Sequence, residues 1–273
     1  MKSHDLEGTL IEATEQVRRR VAARAAKGGR GETVGVGAAG DHTILADKEA
    51  EDEILTALEP HGVRVLSEEA GMTGNPRGEL LAVVDPRDGS SNFERGVPFY
   101  CTSVAIVDGV SLKDVTLGII RDLVRGDVYL ARRGKGATKN GKRIRTSTVT
   151  RASDAVVGID ISRGSPQLVS SLARLASGVK RQTHYGANAL ELCYVADGRL
   201  DAFVDFRGKM RITDFAAAYL VAREAGAELT DERGGPIKAH FDLDHRFSFV
   251  ASANASLHRE ILRLYREGGG DSR

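Results

Sequence analysis

The segment Asp85-Pro86-Arg87-Asp88-Gly89-Ser90-Ser91-Asn92-Phe93 directly follows the apolar run Leu80–Val84, for which we predict a buried strand. Two carboxylates therefore stand where this strand ends, at the sheet edge where α/β proteins commonly place their chemistry. Pro86 would stiffen the turn, and Gly89 would let the backbone approach a ligand closely. The amides of Gly89, Ser90 and Ser91 could converge on a phosphate. Taken alone, the segment is explained equally well as a surface turn.

Three further acidic side chains lie at the ends of predicted elements. Glu68 follows the predicted strand Val63–Leu66, Asp47 lies in the first turn of a predicted helix, and Asp214 precedes another. Each has an ordinary explanation as a solvated strand end, a favourable helix charge or a helix cap. Considered together with the first segment, these carboxylates are the oxygen ligands that hard cations such as Mg²⁺ prefer.

The bulk composition is that of an ordinary globular protein. The 273 residues are 41% hydrophobic and 28% charged, with a net charge of +1, so we expect neither a nucleic-acid partner nor a membrane partner. Cys101 and Cys193 are too few for a disulfide scaffold. Neither a secretory signal nor an apolar run long enough to cross a bilayer is visible, so we expect a cytoplasmic protein.

The hydrophobic pattern predicts clusters of strands and helices rather than strict alternation, which favours an α+β sandwich in layers. We expect a single domain in two closely packed halves, 1–150 and 151–273. The segment Gly28–Gly40 is glycine-rich and is predicted to be a mobile loop or a hairpin. The predicted helices are Asp5–Arg24, Ala46–Leu58, Pro166–Ala176, Ala187–Ala196, Thr213–Ala225 and Leu257–Tyr265. The further predicted strands include Thr102–Val107, Val115–Ile120, Asp127–Ala131, Val156–Ile161, Leu200–Val204 and Phe247–Ala251.

The acidic segments resemble the motifs of the inositol monophosphatase family. Residues 85–93 resemble its signature Asp-Pro-hydrophobic-Asp-Gly-Thr/Ser-x-Asn-Phe, and Ser67-Glu68-Glu69 resembles its Gly-Glu-Glu element. Residues 46–51 resemble its Thr-Asp-x-x-x-Glu element, and residues 212–217 with 223–227 resemble its C-terminal signature. A lone Asp-x-x-Asp-Gly is weak, but four blocks in this order are specific. Residues 186–196 and 200–205 resemble the archaeal branch, whose members often hydrolyse both inositol monophosphate and fructose-1,6-bisphosphate.

The resemblance implies a phosphomonoester hydrolase with the α-β-α-β-α sandwich of the sugar phosphatases. It implies two or three Mg²⁺ ions, with Mn²⁺ as a possible substitute, held by Glu68, Asp85, the Arg87 carbonyl, Asp88 and Asp214. It also implies hydrolysis by a metal-activated water, with Asp47, Glu68 and Ser90 as catalytic residues. The implied substrate-binding residues are Asp88, Gly89, Ser90, Ser91, Arg163, Arg181 and Asp205. The implied substrate is a sugar or inositol phosphate, and the implied assembly is a homodimer.

Four positions depart from the family pattern, and other functions stay open. Arg87 replaces an apolar residue, Thr213 a common Trp, Ser90 a Thr, and Ser67 a Gly. The shared motifs also permit a phosphatase acting on 3′-phosphoadenosine 5′-phosphate or NADP. A non-catalytic metal- or phosphate-binding regulator on the same scaffold would be expected to lack a metal ligand or the Asp47–Ser90 pair, and this sequence retains them.

Overall fold

The structure, a computed structural model, describes residues 3–28, 31, 33–38 and 42–270. Seven α-helices lie in these ranges: α1 (Ser3–Ala26), α2 (Leu45–Leu58), α3 (Ser90–Arg95), α4 (Pro166–Gly178), α5 (Asn188–Ala196), α6 (Ile212–Ala225) and α7 (Ala255–Glu267). Three short 3₁₀ segments accompany them at Glu59–His61, Leu112–Asp114 and Ala152–Asp154. Within the described ranges, no helix combines the length and apolar character needed to cross a membrane.

The strands form a hairpin and two mixed sheets. In chain order they are β1 (Thr33–Val36), β2 (His42–Ile44), β3 (Arg64–Ser67), β4 (Gly71–Gly74), β5 (Leu81–Asp88), β6 (Cys101–Val107), β7 (Val115–Asp122), β8 (Val128–Arg132), β9 (Gly136–Lys139), β10 (Lys142–Arg143), β11 (Val156–Ile159), β12 (Arg181–Thr183), β13 (Ala202–Met210), β14 (Glu228–Thr230) and β15 (Phe247–Ser252). The larger sheet has the order β10-β9-β8-β7-β6-β5-β3-β4, and the smaller has the order β12-β11-β13-β15-β14.

Hydrophobic packing arranges these elements in five layers. Helices α1 and α2 cover one face of the larger sheet, where Leu10, Ile54 and Ile119 are fully buried in one cluster. Helices α5 and α6 lie between the two sheets and share a second cluster with both. Helices α4 and α7 cover the outer face of the smaller sheet. The α-β-α-β-α order confirms the predicted fold class.

A bulge in β5 decides where its carboxylates point. Asp85 pairs with Ser103 and Asp88 with Cys101, so three steps along β5 match two steps along β6. Pro86 lies inside this bulge, where its missing N–H leaves no ladder hydrogen bond unmade. Since side chains alternate along a regular strand, the extra residue lets Asp85 and Asp88 face the same side.

Most differences from the predicted elements concern short or irregular segments. The Gly28–Gly40 segment contains β1, which pairs antiparallel with β2 beyond the segment, in agreement with the predicted hairpin; residues 29, 30, 32, 39 and 40 lie outside the described ranges. Strand β5 continues through the motif to Asp88, beyond its predicted end at Val84. Helix α3 and strands β4 and β12 were not predicted, because three to six residues carry too little periodicity to be recognised.

Candidate active site

Three carboxylates from distant parts of the chain meet at the carboxyl ends of β3 and β5. Glu68 follows β3, Asp85 belongs to β5, and Asp214 lies in the first turn of α6. One oxygen from each lies within 4.8 Å of the others. Because β3 and β5 run parallel, their carboxyl ends share one sheet edge. An oxygen-only set of this kind could hold a hard metal cation.

Asp88, the fourth predicted ligand, is held beside this cluster by the second half of the chain. Its Oδ2 accepts the backbone N–H of Ala189, in the first turn of α5, at 2.7 Å. The Cys101 thiol donates to the same oxygen at 3.8 Å. The positive end of α5 therefore stabilises the Asp88 carboxylate.

The negative charge of the carboxylate cluster exceeds the positive charge of the side chains around it. Burial, and next the Asp214 charge, raise the pKa of Glu68 to about 8. Burial and the Glu68 charge raise the pKa of Asp85 well above its usual range, and burial and the Asp214 charge do the same for Asp88. Burial also raises the pKa of Asp214, although Arg211 opposes it. A divalent cation would relieve this mutual repulsion, so the residues fit a metal.

Asp47 and Ser90, the predicted water-orienting residues, each contact Arg87 in this structure. The Asp47 Oδ1 lies 2.5 Å from a guanidinium nitrogen of Arg87, whose side chain is fully buried and lies 4.3 Å from the Phe93 ring centroid. Burial raises the pKa of Asp47, and the Arg87 charge opposes this rise. The sequence analysis gave Arg87 a role only through its carbonyl, as a metal ligand; in the structure its side chain also pairs with Asp47.

The amides predicted to bind phosphate, those of Gly89, Ser90 and Ser91, lie at the start of α3. Gly89 precedes the helix with φ of +97°, and Ser90 and Ser91 open its first turn. First-turn amides have no acceptor inside their own helix, so these N–H groups are free to bind an anion. The Ser90 hydroxyl donates to the Arg87 carbonyl at 3.3 Å, which places the predicted catalytic hydroxyl beside a predicted metal ligand.

The three predicted substrate residues of the second half lie in different settings. Asp205 is wholly buried, and the Arg207 guanidinium contacts both of its oxygens, at 2.8 and 2.7 Å. Arg163 is exposed, with φ of +56°, in the loop after β11. Arg181 begins β12 and pairs with Val156, at the amino ends of the parallel strands. The structure thus places Arg163 and Asp205 towards the carboxyl ends and Arg181 at the opposite end.

Several residues of the site were missed by the sequence analysis. Arg211, the residue directly before α6, forms an ion pair with Glu68. Glu51 accepts hydrogen bonds from the Ser67 hydroxyl and the Ala70 amide, at 2.5 and 2.8 Å, and so fixes the turn that carries Glu68. The Asn92 amide bridges the carbonyls of Phe99 and Tyr185. Glu51 and Asn92 lie in the quoted motifs, but only their tertiary contacts reveal these roles.

A family model described as "Inositol monophosphatase family" matches residues 5–269. The chain belongs to this family. It is therefore a phosphatase, and the acidic cluster described above lies in three of the four blocks that carry the resemblance. Membership confirms the predicted enzyme class and is consistent with a metal site.

Three comparisons show the range of this phosphatase's relatives. A fructose-1,6-bisphosphatase/inositol-1-monophosphatase from Methanothermobacter thermautotrophicus is 38% identical over 268 residues, covering 94% of this chain and 95% of the relative. A crystal structure of an inositol monophosphatase–fructose 1,6-bisphosphatase superposes with a TM-score of 0.85 at 31% identity, covering 97% of this chain and 100% of that one. A bifunctional NADP phosphatase/NAD kinase from Methanococcus maripaludis is 32% identical, over 86% of this chain and 44% of the relative.

Proposed function

We propose that this phosphatase is Mg²⁺-dependent and removes phosphate from fructose-1,6-bisphosphate, myo-inositol monophosphate or both. The observation that carries the proposal is the convergence of Glu68, Asp85 and Asp214 within 4.8 Å. The similarity to bifunctional fructose-1,6-bisphosphatase/inositol-1-monophosphatases supports the substrate class. The oxygen-only donor set supports Mg²⁺, with Mn²⁺ as a substitute.

The proposed Mg²⁺ ligands are Glu68, Asp85, the Arg87 carbonyl, Asp88 and Asp214. When bound, Mg²⁺ would supply positive charge to the phosphate and lower the pKa of a nearby water. The first-turn amides of α3 would bind phosphate oxygens and hold the ester in place. We propose that Ser90 and Asp47, assisted by Glu68, orient this water and receive its proton, with Arg87 holding Asp47 in position.

A substrate panel tests this function. Phosphate release should be measured over sugar, inositol and nucleotide phosphates, with Mg²⁺, Mn²⁺ or a chelator. We expect turnover on the first two classes that requires the metal and falls by at least about a thousandfold in Asp88→Asn, because a ligand is lost. Asp244→Asn, at an exposed aspartate, is the matched control. Near-normal turnover by Asp88→Asn in Mg²⁺ would refute the site assignment.

The same panel separates the proposed substrate arginines. Arginine binds phosphate oxygens through its planar fork, so Arg163 would favour a substrate with a second phosphate. Arg163→Ala should lower the ratio of turnover on fructose-1,6-bisphosphate to turnover on inositol-1-phosphate. Arg181→Ala serves as the comparison, since Arg181 lies at the amino ends of the strands. An unchanged ratio in Arg163→Ala would remove Arg163 from the substrate site.

A second candidate function is hydrolysis of the NADP 2′-phosphate. It is favoured by the 32% identity to the bifunctional NADP phosphatase/NAD kinase. NADP and 3′-phosphoadenosine 5′-phosphate therefore belong in the panel. Higher kcat/KM on either nucleotide than on every sugar and inositol phosphate would favour this function over the first.

The remaining expectations also stand as proposals. We propose that the chain forms one domain of two halves, 1–150 and 151–273, which share the core between the sheets. We further propose that it acts as a homodimer in the cytoplasm, in carbohydrate metabolism such as gluconeogenesis. Light scattering coupled to size-exclusion chromatography would test the dimer, because the protomer mass is 29.3 kDa.

A further inference from the structure

Charged side chains gather at the carboxyl ends of three parallel strands of the smaller sheet. Asp160 directly follows β11, His184 directly follows β12, and Asp205 lies on β13, which pairs with β11. Glu191 of α5 and Arg207 of β13 complete this group. We call these five residues the strand-end cluster; none was given a role by the sequence except Asp205.

Direct contacts join the strand-end cluster into one chain of charges. His184 Nδ1 lies 2.8 Å from Glu191, and its Nε2 lies 3.5 Å from Asp160. The Arg207 guanidinium lies 2.5 Å from Asp160 and 2.7 Å from Asp205. Glu191 and Asp205 are 0% exposed and Asp160 is 3% exposed. Three buried carboxylates thus face one permanent cation, and the His184 imidazole is the second group able to offset their charge.

The groups around His184 favour its charged form. Burial opposes protonation most strongly, and Arg207 opposes it as well. The hydrogen bond and charge of Glu191, together with the Asp160 charge, outweigh these effects and leave the pKa of His184 raised. These groups belong to β11, β13 and α5, the elements that pack around the ring, and the ring also lies near the apolar Phe203 of β13.

His184 begins the turn that connects the strand-end cluster to the acidic site. Glu191 accepts the backbone N–H groups of Tyr185 and Gly186, at 2.9 and 3.0 Å. The Tyr185 carbonyl accepts the Asn92 amide of the signature motif at 2.6 Å. At the end of the turn, the Ala189 amide donates to Asp88 at 2.7 Å. The Asn188 side chain, at the start of α5, also reaches Asp214, at 3.5 Å. The orientation of Glu191 therefore sets the position of groups that touch two proposed metal ligands.

We propose that His184 is a positioning residue for phosphate hydrolysis: its imidazolium joins Glu191 to Asp160 and so holds the turn 184–189 against Asp88, Asp214 and the signature motif. Loss of the proton removes the positive charge that attracts both acids and leaves the ring a single N–H for the two of them. The contact between His184 and Asp160 is then weakened, and the turn is held less tightly. The expected effect on turnover rests on the proposed function. The expected effect on the position of the turn rests only on the contacts described above.

The kinetic test compares His184→Gln and His184→Arg with the natural protein as a ratio of kcat/KM across pH. From about pH 6 to about pH 9, titration of groups common to all variants cancels in this ratio. The natural protein should exceed His184→Gln by about tenfold at the acidic end and approach it at the alkaline end. It should match His184→Arg at the acidic end and fall below it at the alkaline end, since arginine stays charged. Ratios that do not vary with pH would overturn the proposal.

The second test follows the His184 ring by NMR without any turnover. In the natural protein, the ring should titrate above the ordinary pKa of histidine, because Glu191 and Asp160 stabilise its charged form. Glu191→Gln should lower the His184 pKa, whereas Asp244→Asn, at an exposed aspartate, should leave it unchanged. A His184 pKa at or below that of an ordinary histidine, or one unmoved by Glu191→Gln, would overturn the proposal. Failure of the substrate panel would instead count against the proposed function and leave this titration interpretable.

Discussion

At the scale of single residues, Arg87 is the position at which the chain departs most from the family signature. The signature places an apolar residue there, yet this arginine is buried without exposure of its side chain. It contacts Asp47, stacks on Phe93 and lies 3.4 Å from the Ser90 carbonyl. The Arg87 side chain therefore touches both members of the proposed water-orienting pair. It occupies, as a buried cation, the position where the family signature has an apolar side chain.

Replacement of Arg87 by Met should harm both stability and activity. It leaves the Asp47 carboxylate buried without its cation, at a cost of about 3–5 kcal/mol. It should also lower kcat on the order of 100-fold, because Asp47 becomes neutral or misplaced. Urea unfolding and steady-state kinetics at saturating Mg²⁺ measure the two effects.

Two further variants serve as controls for this prediction. Arg87→Lys keeps the charge and should retain part of both properties. Arg121→Met removes another largely buried arginine, which pairs with Glu15, so it should lose stability but keep its activity per folded molecule. An Arg87→Met protein as active and stable as the natural one would show that the ion pair is irrelevant.

At the scale of elements, the bulge in β5 and the start of α3 create the site together. The bulge turns Asp85 and Asp88 to one side and Arg87 to the other. Gly89 then leads the chain into α3 at a point where atoms from both halves of the protein lie close to its backbone. A Cβ at position 89 would lie 3.0 Å from the Phe99 carbonyl oxygen and 3.1 Å from the Ala187 Cβ.

The variant Gly89→Ala should therefore destabilise the protein by about 2–4 kcal/mol, from an unfavourable φ together with steric crowding. Activity should also fall, because α3 and its amides would move away from the carboxylates. Gly134→Ala is the matched control, since that residue has φ of +73° and no atom within 4 Å of an added Cβ. Thermal unfolding that shows equal losses in the two variants would mean that crowding at position 89 contributes nothing.

At the scale of the whole molecule, the acidic site makes stability depend on pH and metal. The folded-state pKa of Glu68 is raised from 4.5 to about 8, so its contribution to stability is present below pH 4.5 and is lost as pH rises to about 8. The raised pKa values of Asp85 and Asp88 act in the same direction. A bound cation would reverse the penalty, since it binds the ionised form.

The rise in Tm caused by Mg²⁺ should therefore be small near about pH 5 and larger near about pH 8. Differential scanning calorimetry with Mg²⁺ or a chelator measures this difference. Asp85→Asn should reduce the pH dependence, because it removes one of the repelling charges. An equal Mg²⁺ effect at both pH values in the natural protein would contradict the raised pKa values.

The sequence by itself determined the chemistry and most of the elements. Hydrophobic periodicity predicted six of the seven described helices and the main strands, and the order of four acidic blocks pointed to the family. These are local signals, since periodicity and motif spacing are written in neighbouring residues.

Only the tertiary structure decided which groups meet. Three features depend on tertiary contacts that motif spacing does not report: the bulge at Asp85–Asp88, the ion pair of Arg87 with Asp47, and the chain of contacts from Asp160 through His184 to Glu191. Arg163 and Arg181 lie at opposite ends of the parallel strands because of strand direction, which a sequence pattern does not encode. The physical reason is that burial and electrostatic pairing depend on distances across the folded core, and these exist only once the two sheets have packed on α5 and α6.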